Sequence, residues 1–116
     1  MVTRFEKKVL NRVRIEELPY DKRSDDEIYF GRQDSGKRTD YGINIHAVEG
    51  IMSGHYKRDK LNGEGVHIHV DYTYQGEYSK GKRHGFGKLK KEGYAYIGNW
   101  TNGLRDGKGM EKTEVD

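Results

Sequence analysis

Hydrophobic and polar side chains alternate along much of the chain, and the clearest stretch begins at Tyr74. In residues 74–78 two tyrosines and a glycine are separated by single polar residues, and this period of two places the rings on one face of a β-strand. Gly81 follows three residues later, where a tight reversal needs a residue that tolerates positive φ. Over residues 85–90 glycine and leucine then alternate with other side chains. The pattern therefore predicts a β-hairpin.

The same frame returns 22 residues later, which predicts a repeat architecture. A second copy precedes it at 52–73, with Met52 and Asp59 as departures, and a more divergent copy at 29–51 departs at Gln33 and Asp40. We therefore predict four hairpins, at 29–51, 52–73, 74–95 and 96–116. The positions that match between the last two copies are Tyr74 and Tyr96, Gly76 and Gly98, Tyr78 and Trp100, Gly81 and Gly103, Gly85 and Gly107, and Gly87 and Gly109.

The repeated glycines predict how the hairpins pack. A glycine in a strand leaves bare backbone over which an aromatic ring from an adjacent strand can lie. Four such hairpins predict an all-β fold, an elongated single-layer antiparallel meander of about eight strands. The glycines to which we assign structural roles are Gly54, Gly63, Gly65, Gly76, Gly81, Gly85, Gly87, Gly98, Gly103, Gly107 and Gly109.

The repeated motif, Tyr-x-Gly-x-(Tyr/Trp)-x-x-Gly-x-x-x-Gly-x-Gly, closely resembles the membrane occupation and recognition nexus (MORN) repeat. The resemblance implies a single-layer sheet curved into a groove, and a non-catalytic scaffold or adaptor that binds other protein subunits of a large assembly. Among such assemblies it favours a ciliary or flagellar axoneme. We expect the floor of a partner-binding groove to be formed by Tyr56, Tyr74, Tyr78, Tyr96 and Trp100.

Residues 1–28 lie outside the repeats and form a predicted appendage or docking segment. Thr3 and Glu6 have the spacing of a capping box, which predicts a helix from Arg4 to about Asn11. The alternation over 12–16 favours a strand instead, so the appendage is expected to be helical or extended. Pro19 ends either element. Residues 22–27 are expected to form a charged, solvated loop.

Composition narrows the functional classes. Only 32% of residues are hydrophobic and 35% are charged, so a thick core is not expected. The absence of cysteine excludes disulfides and thiolate metal sites and fits a reducing compartment. No apolar run approaches the roughly 20 residues of a membrane span, and the N-terminus lacks the apolar stretch of a secretory signal. We expect an intracellular protein of the cilium or cytoskeleton, with the mitochondrion or a membrane periphery as alternatives.

Neither metal binding nor catalysis is expected. His67 and His69 share a strand face, and His46 occupies the repeat position of His69. Equivalent strands, however, lie about 10 Å apart, whereas zinc ligands lie about 2 Å from the metal. The Gly-x-Gly pairs lack a third glycine and a following helix, so no phosphate-binding fingerprint is complete. No Ser-His-Asp grouping or carboxylate pocket is evident, and no cofactor is implied.

A basic cluster in the third repeat is the feature most suggestive of a partner. One interpretation is that its lysines prevent the exposed sheet from pairing with other edges. Another is an acidic partner, either a protein surface or anionic phospholipid headgroups on a membrane. Nucleic acid is not expected, because the net charge is only +3 and the rings are needed for packing. An accessory subunit of an enzyme or mitochondrial complex is a further alternative. The cluster comprises Lys80, Lys82, Arg83, Lys88, Lys90 and Lys91.

The end of the chain supports the assembly hypothesis at this stage. Repeat arrays normally carry polar terminal caps, and no capping segment is recognisable after the fourth repeat. We therefore expect neighbouring subunits to cover the sheet.

Overall fold

The computed structural model describes residues 19–114, which form one open antiparallel sheet of nine strands. The strands pair in chain order, so the sheet is a meander and the predicted all-β fold is confirmed. Within the described range, no helix is long and apolar enough to cross a bilayer. The strands are β1 (Tyr20–Ser24), β2 (Glu27–Asp34), β3 (Lys37–His46), β4 (Gly50–Lys57), β5 (Lys60–Ile68), β6 (Tyr72–Ser79), β7 (Lys82–Lys91), β8 (Tyr94–Thr101) and β9 (Leu104–Thr113).

The sheet has nine strands rather than eight because β1 adds to the first predicted hairpin. It pairs with β2, and the ring of Tyr20 packs 5.8 Å from that of Phe30. The charged loop expected over 22–27 is therefore wrong, and only Asp25 and Asp26 separate the two strands. The helix predicted from Arg4 to about Asn11, and its extended alternative over 12–16, lie outside the described residues.

Each hairpin closes with a two-residue turn in which both residues have positive φ. This is the type I′ geometry that matches the natural twist of paired strands. Gly81 (φ 83°) and Gly103 (φ 87°) take the second position in the last two hairpins, as predicted. Asp59 takes this position in the second hairpin at φ 71°, and its Oδ1 accepts hydrogen bonds from the backbone N (3.0 Å) and Nε (2.7 Å) of Arg38.

A tyrosine covers a pair of glycines in three of the four hairpins. In the third, the ring of Tyr74 lies over Gly76 and Gly87, and a Cβ added to Gly87 would overlap its phenol. The hydroxyl of Tyr74 donates to the carbonyl of Glu77 at 3.0 Å. Tyr29 and Tyr96 occupy the same position in the first and fourth hairpins. The predicted packing of rings on glycine is confirmed there, whereas the second hairpin has Met52 in place of the tyrosine.

The hydrophobic core lies on one face of the sheet, which we call the aromatic face. The other face, here called the opposite face, carries two buried apolar residues, Ile43 (3% exposed) and Val66 (2%). Towards β9 the opposite face has more exposed apolar side chains, including Phe86 (58%) and Met110 (74%). The core cluster of the aromatic face consists of Tyr29, Tyr56, Leu61, Tyr74, Tyr78, Tyr96 and Trp100.

Candidate partner-binding face

Edge-to-face ring contacts connect successive hairpins along the aromatic face. Tyr74 contacts Tyr78 of its own hairpin, with ring centroids 5.2 Å apart, and Trp100 of the next hairpin at 5.5 Å. Trp100 in turn contacts Tyr96 at 5.3 Å and donates from Nε1 to the carbonyl of Gly87 at 3.2 Å. Such pairs stabilise packing beyond the area that they bury. The rings therefore hold neighbouring hairpins together.

The five residues predicted to form a groove floor are buried in this ladder. Their exposed fractions are 2% for Tyr56, 0% for Tyr74, 6% for Tyr78, 5% for Tyr96 and 4% for Trp100. Direct contact between these rings and a partner stays a prediction, and so little exposed surface limits what they could contribute. Met52, Leu89 and Tyr94 pack on them and are only partly buried, while Leu104 is 73% exposed.

Burial also fixes the protonation state of the core tyrosines. It raises the pKa of Tyr29 and of Tyr74 to about 12, and it raises the pKa of Tyr56 and Tyr78 as well. A phenol with a raised pKa stays neutral at physiological pH and acts as a hydrogen-bond donor. The hydroxyl of Tyr56 accordingly donates to the carbonyl of Met52 at 2.8 Å. These phenols have a structural role.

Sequence analysis missed a ladder of arginines over the rings. Arg38, Arg83 and Arg105 take the same position in three hairpins, opposite residues 33, 78 and 100. Leu61 takes it in the second hairpin. The guanidinium carbon of Arg38 lies 4.8 Å from the ring centre of Tyr56, within the range of cation–π attraction. The signal was present, since positions 61, 83 and 105 are spaced by 22 residues.

Two of these arginines have carboxylate partners. Arg38 pairs with Asp59 at 2.7 Å, and Arg105 pairs with Glu111. Although burial raises the pKa of Asp59, its hydrogen bonds from Arg38 outweigh burial and hold that pKa below its ordinary value. Arg83 differs: no residue within 19–114 gives its guanidinium a hydrogen bond or an ion pair.

The predicted basic cluster is not brought together as one patch. Lys80 and Lys82 lie at the β6–β7 turn, whereas Lys91 ends β7, a strand of ten residues that spans roughly 30 Å. Lys88 and Lys90 pair with Ile97 and Ala95 on the opposite face. The register places Arg83 and Lys91 on the aromatic face.

Two hollows adjoin on the aromatic face near its C-terminal end, and we call them the aromatic hollows. One has a volume of about 420 Å³ and the other about 310 Å³. Arg83 lines both. The larger is also lined by Leu89, Lys91, Tyr94, Trp100, Gly103, Leu104, Arg105 and Glu111, and the smaller by Met52, His67, Tyr78, Gly81, Lys82 and Gly103.

The histidines have local structural partners. Nε2 of the buried His67 lies 2.7 Å from the carbonyl oxygen of Glu49, and burial lowers the pKa of His67. The ring of His69 stacks on Tyr72 with centroids 4.6 Å apart, and His46 Nδ1 accepts a hydrogen bond from the backbone of Glu49. Within residues 19–114, no group of three or more potential ligands is arranged to hold a metal ion.

Comparison with known families agrees with this geometry. The family model described as the MORN repeat matches three consecutive segments, 53–73, 74–93 and 96–112. Each segment contains one ring-on-glycine hairpin or its Met52 variant. The first hairpin, Glu27–His46, lies outside the matched segments, although Tyr29 covers its glycines in the same manner. No curated protein matches the chain significantly.

Proposed function

Because this chain belongs to the MORN repeat family, we propose that it is a non-catalytic scaffold or adaptor that binds a partner protein in its aromatic hollows. MORN repeats occur in protein-binding and lipid-binding modules, and their sheets are typically non-catalytic. The partner segment is a short helix or an extended peptide, because these are the shapes that open grooves receive.

The larger aromatic hollow is the observation that carries this proposal. It combines exposed and half-buried apolar side chains with charged groups at its rim, including Leu104, Tyr94 and Arg105. Interfaces take this form, with an apolar centre and a polar edge. Because the hollow lies on hydrogen-bonded strands, its shape is set before a partner arrives. Preorganisation of this kind reduces the entropy lost on binding.

Placement in a ciliary or flagellar axoneme belongs to this proposal as well. It rests on the family resemblance, and fluorescence imaging of the tagged full-length protein in ciliated cells would test it. Accumulation along the axoneme is the expected result. A purely mitochondrial signal would favour the accessory-subunit alternative instead.

Site-specific photocrosslinking provides the direct test of the binding face. Leu104 lines the larger hollow and Met110 lies on the opposite face, yet the two are matched in exposure, at 73% and 74%. A benzophenone amino acid replaces one or the other in the full-length protein, in cells that express it naturally. We expect a discrete protein adduct from position 104 and none from position 110. Adducts from position 110 alone would move the interface to the opposite face.

Binding to anionic phospholipid is the second candidate, and it has weaker support. A membrane surface favours cations grouped on one side, whereas Lys88 and Lys90 lie on the opposite face from Arg83. Co-sedimentation with phosphatidylserine vesicles tests it. Binding that is lost when all six residues of the basic cluster are neutralised would support the lipid candidate, and no sedimentation would eliminate it.

A further inference from the structure

Arg83 is a cation whose environment lacks an anion. Its guanidinium is half-buried and lies 5.3, 5.0 and 5.2 Å from the ring centres of Tyr72, Tyr74 and Trp100. The equivalent residues Arg38 and Arg105 are also placed over rings, but each pairs with a carboxylate. In the array of repeated hairpins, Arg83 therefore occupies a position at which a carboxylate partner recurs but is not supplied within residues 19–114.

The rings hold the guanidinium in place without satisfying its hydrogen bonds. Cation–π contacts use the face of the planar group, which leaves its N–H donors at the edge free for an acceptor. Arginine binds a carboxylate through two parallel N–H···O bonds, and this geometry is matched by few other groups. Partial burial strengthens such a pair, because water screens it less than it screens a pair at the surface.

The surroundings of Arg83 have an excess of positive charge. The larger hollow is lined by Arg83, Lys91 and Arg105 against the single carboxylate of Glu111, and Arg105 already pairs with Glu111. The smaller hollow adds Lys82 and has no acidic residue in its lining. An acidic ligand would therefore be attracted to this part of the face and a basic one repelled.

We propose that Arg83 is a carboxylate receptor, and that the partner of the aromatic hollows is an acidic peptide segment whose Asp or Glu side chain pairs with it. Apolar residues beside that carboxylate contact Leu89, Tyr94 and Leu104. This inference rests on the proposed function and specifies the chemistry of the partner.

Peptide selection tests this for a partner of any sequence. A phage-displayed library of random 12-residue peptides is selected on the full-length protein, with the Arg83→Gln variant for counter-selection. Selected peptides are synthesised with a fluorophore, and Kd is measured by fluorescence anisotropy. We expect enrichment of Asp and Glu beside apolar residues. Arg83→Gln should weaken binding about tenfold or more, while Lys80→Gln at the exposed turn should leave Kd unchanged.

A second measurement does not depend on whether the Arg83 variant folds. The carboxylate of the selected peptide is replaced by its amide, Glu→Gln or Asp→Asn, and this peptide is tested on the wild-type protein. We expect the same loss of about tenfold. Where Arg83→Gln folds, as circular dichroism would show, the two changes together should weaken binding little more than either alone, because they remove the same pair.

The outcomes separate this inference from the proposed function. Peptides that bind the hollows equally well with Gln at position 83, or without a carboxylate, overturn the role of Arg83 and leave the scaffold function intact. Enrichment of Lys and Arg in the selected peptides overturns it as well. If no peptide binds while phosphatidylserine vesicles do, both proposals fail in favour of the membrane.

Discussion

At the scale of single residues, the fold depends on pairs of opposed shape: a tyrosine ring on one strand and glycine backbone beneath it. Tyr74 has no exposed surface because Gly76 and Gly87 leave room for its ring to lie flat against the sheet. A glycine in a strand is normally unfavourable, and the buried ring offsets that cost. The glycines of this chain are therefore packing residues as well as turn residues.

Gly87→Val tests this pairing directly. The branched side chain would occupy the space of the Tyr74 phenol, so we expect the free energy of unfolding to fall by about 1–3 kcal/mol or more. Urea denaturation followed by circular dichroism measures the change. Lys88→Val is the matched control, because it places the same side chain on the neighbouring residue of the opposite face, where it should change stability little. Equal midpoints for the two variants would show that the ring does not constrain position 87.

His67 should make stability depend on pH. Burial lowers the pKa of His67 in the folded protein, whereas the unfolded chain has an ordinary value of about 6.5. Below that pH the unfolded state binds a proton that the folded state does not, so stability is lost as the pH falls from 7.5 towards 5.5. Denaturation curves across this range measure the loss.

Two glutamine variants identify the responsible residue. His67→Gln retains a donor for the Glu49 carbonyl and removes the titration, so its stability should vary less over the same range. His84→Gln, at an exposed site, should retain the whole dependence. If both variants behave like the wild type, His67 is not the origin.

At the scale of elements, the sequence predicted the hairpins well because every turn and every ring-on-glycine contact is local. Lys80 and Gly81, for example, are adjacent and adopt the turn without help from other hairpins. Asp59 could not be assigned in the same way. It adopts positive φ at the equivalent turn and is held by Arg38, which belongs to the preceding hairpin and is 21 residues away.

The candidate site was harder to predict because adjacency in sequence differs from adjacency on a sheet. Lys88 and Lys90 are close to Arg83 along the chain but lie on the other face. Arg83 and Arg105 are far apart along the chain and line the same hollow. Strand β1 was missed for a related reason: its residues are charged and mostly exposed, so no hydrophobic alternation marked it.

At the scale of the whole molecule, the described sheet is a one-dimensional array. Each strand pairs only with its neighbours in the sequence, and adjacent hairpins are also joined through their turns. The backbone N of Gly103, for example, donates to the carbonyl of Arg83 at 2.9 Å. Stability in such arrays is approximately a sum of terms for each repeat and each interface between repeats. A defect at one end should therefore act mainly on the nearest hairpins.

Trp100→Ala is the defect that separates local from global cooperativity. Trp100 is 4% exposed and joins the last two hairpins through its contacts with Tyr74 and Tyr96, so its loss should cost about 3–5 kcal/mol at that interface. Hydrogen–deuterium exchange read by mass spectrometry should show faster exchange in β7–β9 and little change in β2 and β3. Met110→Ala, which truncates an exposed side chain on the opposite face, should alter neither region. Exchange that accelerates equally from β2 to β9 would show instead that the nine strands unfold as one unit, and the coupling between distant hairpins would then have to exceed what their neighbour contacts provide.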